Sequence, residues 1–224
     1  VAVLYAREGA SVAIVYLPQE QVDADETKRA IESEGQRALL IPGDVTDPQF
    51  CRDAVAQTVK AFGKLDILVN NAGAFVMSPL GGTREADFDL MIGANLKGVF
   101  FLSQEVLPDF EAAGRGKIIN IGSIFGNDGF PQSAVYCATK SALDLRERNI
   151  QVNAAAPRFI ETPLNADFRA NNADYRRRAD ERFGGPGVWM QADELTGAGV
   201  FLASEDADSV TGATLYVDRG WSAY

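Results

Sequence analysis

Short, unbroken apolar runs punctuate this chain from one end to the other. Val12 to Tyr16 (VAIVY), Ala38 to Ile41 (ALLI), Ile67 to Asn70 (ILVN), Lys117 to Ile121 (KIINI), Ile150 to Ala154 (IQVNA) and Ala213 to Val217 (ATLYV) are predicted strands. Their apolar positions are continuous rather than alternating, as parallel strands covered on both faces require. Between the runs, the apolar residues return at helical spacing. Cys51, Val55, Val59 and Phe62 form one such stripe, and Leu96, Val99, Phe100, Ser103, Val106, Leu107 and Phe110 another. Val1 to Gly9 reads as the end of a helix. Strand and helix alternating over the whole length predict an α/β fold, a doubly wound parallel sheet in one domain spanning residues 1–224.

Composition narrows what such a domain does. Its 224 residues suffice for a full hydrophobic core. The net charge of −10 argues against a nucleic-acid surface, which needs clustered Lys and Arg. The densest basic cluster, Arg176 to Arg178, is flanked by Asp174, Asp180 and Glu181 and reads as a solvated helix face. Histidine is absent, so mechanisms with a histidine base are excluded and no zinc site is expected. Acid–base chemistry must then fall to Tyr, Lys, Asp, Glu or Cys. The two cysteines, Cys51 and Cys137, form no CxxC pair. No apolar run reaches the ~18 residues of a membrane span and no signal peptide is evident, so a cytoplasmic protein is expected.

In open α/β sheets, ligands bind beyond the carboxyl ends of the strands. There the sequence is distinctive. Asn70-Asn71-Ala72-Gly73 follows the third run, and Gly122-Ser123 follows the fourth. Thirteen residues after Ser123 stands Tyr136-Cys137-Ala138-Thr139-Lys140, whose i, i+4 spacing puts Tyr136 and Lys140 on one helix face. Asn95 lies in Asn95-Leu96-Lys97-Gly98, within another helical stretch. Each residue also has an ordinary use: Ser123 as a helix cap, Asn95 as a backbone bridge, Asn70 to Gly73 as a turn, Tyr136 and Lys140 as a surface pair.

Taken together, these motifs resemble the short-chain dehydrogenase/reductase family in its best-known form, a Rossmann-like fold. The NNAG turn, the NxKG stretch, Ser123, YxxxK, Arg148 to Pro157 (RNIQVNAAAP) and Val210 to Asp218 (VTGATLYVD) match it in order and cover nearly the whole chain. The resemblance implies an oxidoreductase that moves hydride between NAD or NADP and a secondary alcohol or ketone. Asn95, Ser123, Tyr136 and Lys140 would be its catalytic residues. Asp44, Val45, Asn71, Ala72, Gly73, Pro157 and Thr162, with Tyr136 and Lys140, would bind the cofactor. It also implies a small-molecule substrate and a homotetramer. The chemistry follows from the residues as well: a carbonyl receiving hydride needs a proton donor, and a free phenol titrates near ~10. An ammonium at roughly 4 Å contributes on the order of 4 kcal/mol at an effective dielectric of about 20. Lys140 is therefore expected to draw Tyr136 down toward working pH.

Some features set this sequence apart. The family's opening strand and glycine-rich phosphate loop are not among these residues, and Lys140 to Asn153 is shorter than usual, with Leu145-Arg146 reading like a splice. The expectation is that residues ahead of Val1 and after Leu145 exist in the natural protein; a truncated, inactive relative is the rival. Arg158 and Arg219 stand where the family more often has glycine. Tyr16, Leu17 and Pro18 end the first run with neither the acid of NAD users nor the base of NADP users, which leans slightly toward NAD. Residues 159–187, polar and rich in Arg and Asp, interrupt the alternation and are expected to form a substrate lid. Two other readings compete: a non-catalytic NAD(P)-binding sensor or interaction protein, and a dehalogenase- or dehydratase-like relative. Tyr136 and Lys140 argue against the first, and Lys140 against the second, whose dehalogenases carry Arg there.

Overall fold

The computed structural model describes residues 1–127, 130–140, 150–173, 177 and 189–223. The Leu145-Arg146 junction, the Arg176–Arg178 cluster apart from Arg177, and most of the second half of the expected lid lie outside them.

The described elements run α1 (Ala2–Arg7), β1 (Val12–Tyr16), α2 (Gln21–Ser33), β2 (Ala38–Pro42), α3 (Pro48–Phe62), β3 (Ile67–Asn70), α4 (Glu85–Ile92), a π-helical segment (Gly93–Gly98) and α5 (Val99–Ala113). There follow β4 (Gly116–Ile121), α6 (Ala134–Lys140), β5 (Ile150–Pro157), α7 (Ala166–Asn171), α8 (Thr196–Ala203) and β6 (Thr214–Val217). Helix α3 shows how local chemistry sets these bounds. Asp47 caps its first turn by accepting from the Gln49 amide at 2.9 Å, Pro48 opens it, and Gly63 closes it in the left-handed region at φ 83°.

All strand pairings are parallel, in the order β1-β2 and β3-β4-β5-β6. A doubly wound sheet runs 3-2-1-4-5-6, so this is that order without its central strand. The runs flanking the division stay half-buried along most of β1 and β3, whereas β5 is almost wholly buried.

Neighbouring side chains along each strand point to opposite faces and join two different cores. On one face, Ile118 and Val152 pack with Cys51 and Val55 of α3 and with Leu102, Val106 and Phe110 of α5, and Val15 of β1 and Leu68 of β3 lie against the same core. On the other, Ile119 and Ala155 pack with Tyr5 and Leu202, and Val12, Ile67 and Val69 join them. The Tyr5 hydroxyl ties α1 to α8 by donating to the Gly199 carbonyl at 2.9 Å. Both parts of the sheet therefore share both cores, and the carboxyl ends of all the strands open on one rim.

Candidate active site

Four of the sequence-selected residues gather at that rim, and two of them, Ser123 and Tyr136, line one pocket. Ser123 follows β4 in extended conformation, and its Oγ accepts from the Phe125 amide at 3.2 Å, capping the turn Ile124–Gly126. The cap leaves the hydroxyl hydrogen available, and Ser123 lines the same pocket wall as Tyr136. Tyr136 stands in α6, its ring 4.8 Å from Phe75 and 6.3 Å from Phe125, both edge-on. Lys140 ends the same helix. Its Nζ donates to the Ile121 carbonyl at 2.7 Å and lies 5.7 Å from the centre of the Tyr136 ring.

The electrostatics correct the sequence reading. Burial pushes the Tyr136 phenol up to about 12, outweighing the opposite influence of Ser123. Burial also draws Lys140 down to about 8. The expected pull of the lysine on the phenol is not seen, because the ammonium is held against the β4 carbonyl and faces the ring rather than the hydroxyl oxygen.

Asn95 is almost fully buried in the π segment between α4 and α5. Its Oδ1 accepts from the Ala74 amide at 2.7 Å, and its Nδ2 donates to the Ala74 carbonyl at 2.9 Å and to Thr139 Oγ1 at 3.0 Å. The side chain thus clamps the loop after β3 onto α6, one residue from Lys140. Single π turns of this kind recur at functional sites. Thr139 in turn donates to the Tyr136 carbonyl at 2.8 Å.

The remaining candidates line the rim toward β2. Asp44 is exposed and its Oδ1 accepts from the Thr46 amide at 2.8 Å, a turn-forming bond that leaves its other oxygen uncommitted by that contact. Val45 points instead into the core, packed so closely on Gly98 that a Cβ there would stand 2.8 Å from it. Asn70 is buried, its Nδ2 shared between Asn120 Oδ1 at 2.9 Å and Ser103 Oγ at 3.2 Å. Asn71, Ala72 and Gly73 are exposed. Pro157 ends β5 beside Val217, and Thr162 begins the turn Pro163–Asn165, its amide donating to Asn165 Oδ1 at 3.3 Å.

These residues fit a nicotinamide dinucleotide. A Cβ on Gly73 would stand 3.2 Å from Asn95 Oδ1 and 3.8 Å from Lys140 Nζ, so only bare backbone separates the rim from the lysine there. Exposed backbone and carboxylate continue from that point to Asp44, a polar edge suited to a ribose and a base.

The pocket itself, open to solvent, is walled by Phe75, Phe125, Phe159 and Leu164 as well as by Ser123, Tyr136 and Arg158. The sequence reading expects substrate contacts from residues 125–132 and 159–187, which hold Phe125, Phe159 and Leu164, and misses Phe75, whose one signal is its proximity to the NNAG turn. Gly126 sets the closeness of the Ser123 turn to α6: a Cβ there would lie 2.5 Å from the Lys140 carbonyl oxygen. Gly126→Ala is expected to cost about 1–3 kcal/mol through that overlap, read as a lowered calorimetric midpoint. An unchanged midpoint would contradict the contact.

Comparison with known proteins agrees with the geometry. A family model described as Enoyl-(Acyl carrier protein) reductase matches residues 1–222. The chain is 38% identical over 231 residues to the oxidoreductase YhxC of Bacillus subtilis, covering 98% of this chain and 79% of that one. It is 35% identical to the 3-oxoacyl-[acyl-carrier-protein] reductase FabG of Thermotoga maritima, over 97% of this chain and 89% of the relative. A crystal structure of a gluconate 5-dehydrogenase from Burkholderia cenocepacia, in complex with NADP and tartrate, superposes with a TM-score of 0.87 at 34% identity, covering 100% of this chain and 90% of that one. With motifs, fold and relatives in agreement, the chain belongs to the short-chain dehydrogenase/reductase family and is an NAD(P)-dependent oxidoreductase.

Proposed function

We propose that this enzyme interconverts a secondary alcohol and a ketone, with Tyr136 as proton donor, Ser123 as the second contact to the reacting oxygen, and Lys140 and Asn95 as their support. The observation that carries this reading is that Ser123 and Tyr136 stand together in the wall of one pocket, with the Lys140 ammonium over the phenol ring. When bound, the nicotinamide supplies or accepts the hydride. In the direction of reduction, Tyr136 Oη gives its proton to the carbonyl oxygen while the Ser123 hydroxyl holds that oxygen in place. A phenol kept near 12 is protonated at working pH, which suits it as an acid. Lys140 contributes positive charge close to the site where negative charge develops, and its bond to Ile121 fixes its position. Asn71, Ala72 and Gly73, with Asp44, Pro157 and Thr162, would hold the cofactor, Val45 contributing by seating that loop in the core. Leu164 and Asn165 line the pocket from the segment that begins at Phe159, which supports its role as a cover over substrate.

After β1, the Glu20 carboxylate folds back to accept from the Leu17 amide at 3.1 Å, so the turn that would face a ribose carries a negative charge. This charge opposes a ribose phosphate and favours NAD, by a margin of less than tenfold.

The test is reduction of a ketone panel with NADH and with NADPH, followed from pH 6 to pH 10. Turnover is expected with both cofactors and slightly better with NADH. The rate should hold up to about pH 7 and fall about tenfold between pH 7 and pH 9, because the lowered Lys140 loses its charge in that interval. The stability sign is opposite. Above about 8 the folded chain binds one proton fewer than the unfolded chain, so stability from this group rises with pH until the unfolded lysine also titrates. Absence of turnover with every ketone and both cofactors would overturn the reading.

A further inference from the structure

The pocket wall is built largely from rings. Phe75, Phe125, Tyr136 and Phe159 line it, together with Leu164 of the turn Pro163–Asn165. They come from separate loops because β3, β4 and β5 lie side by side in the sheet. Phe75 follows β3, Leu164 follows β5, and the Ser123 turn follows the strand between them. The rings meet edge-on. Phe75 stands against Tyr136 at 4.8 Å and 69°, Phe125 against Tyr136 at 6.3 Å and 83°, and Phe125 against Phe159 at 5.6 Å and 79°. Phe125 and Phe159 are buried, whereas Phe75 is half-buried and Leu164 is exposed, so these two keep the most apolar surface accessible. Phe75 is also well anchored, since Asn95 bonds both the amide and the carbonyl of the preceding Ala74.

Polar side chains add little to this wall beyond the two hydroxyls of the mechanism. Both ends of the Asn165 amide are engaged: its Nδ2 donates to the Ile160 carbonyl at 2.7 Å, and its Oδ1 accepts from the Thr162 amide at 3.3 Å and from Arg169 Nε at 2.9 Å. Arg158 keeps only 6% of its surface exposed. A polyhydroxylated substrate brings hydroxyls that each need a partner once water is displaced, and this wall offers few. A flat apolar group loses nothing by the exchange and gains edge-to-face contacts, worth about two- to twelvefold in binding for each ring pair beyond the area covered.

We propose that the enzyme acts on ketones and alcohols that carry an aromatic ring a few bonds from the reacting carbon, and that Phe75 determines this specificity. The reacting oxygen lies at Ser123 and Tyr136, and the ring of the substrate joins the edge-on cluster beside Phe75. This inference rests on the alcohol–ketone reading and names its substrate class.

The test compares benzylacetone with its cyclohexyl analogue, with butanone and with fructose, as substrates of the full chain and of its Phe75→Leu and Phe75→Tyr variants. The first two ketones share carbonyl, chain length and approximate bulk, and differ in the aromatic character of the ring. In kcat/KM the native enzyme is expected to favour benzylacetone about 30-fold over butanone, through the area covered, and about five- to tenfold over the cyclohexyl analogue, through the edge contacts. Phe75→Leu should bring the aromatic-to-cyclohexyl ratio to about one, and Phe75→Tyr should keep it. Each ratio is taken within one protein, so a general loss of activity or stability in a variant cancels. Equal values for the two ring ketones in the native enzyme, or better turnover of fructose than of either, would overturn the proposal. A ratio that Phe75→Leu leaves unchanged would overturn it too. Calorimetric binding of the two corresponding alcohols separates this idea from the reading beneath it. If no ketone turns over, yet the aromatic alcohol binds at least about fivefold tighter than the cyclohexyl one and Phe75→Leu erases the difference, the aromatic subsite stands and the dehydrogenase mechanism falls. If no ketone turns over and neither alcohol binds, both fall.

Discussion

Replacing Tyr136 by Phe is expected to lower kcat for ketone reduction about 10³-fold while leaving NADH affinity and thermal stability within narrow limits of the native values. The substitution removes one oxygen and nothing else. The edge-on contacts with Phe75 and Phe125 involve the ring and survive, as does the approach of Lys140 to its face. What disappears is the hydroxyl that shares the pocket wall with Ser123 and that, in the proposed mechanism, protonates the carbonyl oxygen. Because the buried phenol is hard to ionise, the reverse reaction, in which it must act as a base, should gain rate as the pH is raised in the native enzyme, and the variant should lose that dependence. Turnover within tenfold of the native rate would remove Tyr136 from the chemistry.

The second large effect is on stability. Asn95→Ala deletes an amide whose two ends together serve the Ala74 amide, the Ala74 carbonyl and the Thr139 hydroxyl. Each stranded buried group costs on the order of 1–3 kcal/mol, but Thr139 keeps its bond to the Tyr136 carbonyl and Ala74 is only half-buried. A loss of about 3 kcal/mol is therefore expected, equivalent to a midpoint roughly 6–12 °C lower for a domain of this size. Activity should fall as well, since the clamp sets the loop after β3 against α6. A midpoint unchanged by the substitution would show that water replaces the amide without cost, and the clamp would then hold nothing.

The sheet could be read from the sequence because its strands are continuous apolar runs, and Val12–Tyr16 and Ile67–Asn70 fall where the runs do. Strand β5 continues to Pro157, beyond the expected Ala154, because Ala155 and Ala156 are buried between layers where small side chains suffice. Ser123, Tyr136, Lys140 and Asn95 could be picked out by order and spacing. Their electrostatics could not. The pull of Lys140 on Tyr136 was argued from chain separation alone, and neither the Ile121 carbonyl that captures the ammonium nor the burial of the phenol has a signature in the i, i+4 spacing. Of the pocket walls, Phe125 and Phe159 lie in segments the sequence marks for substrate, whereas Phe75 was hidden, since the three meet only after β3, β4 and β5 are set side by side.

The π segment of Gly93–Gly98 also has no compositional mark, yet it governs the phase of everything after it. Buried positions run from Asp87 and Met91 in α4 through Asn95 to Leu102, Val106 and Phe110 in α5. Six turns of regular α-helix take about 21.6 residues, fewer than the span from Asp87 to Phe110. The wider turn absorbs the surplus and keeps one inward stripe continuous. The helix therefore works as a vernier, with Asn95 at the mark where two scales coincide. Removing a single residue from this stretch would take out most of that surplus, so an ordinary α-helical repeat would carry the stripe across nearly in phase and the wide turn that presents Asn95 would be lost.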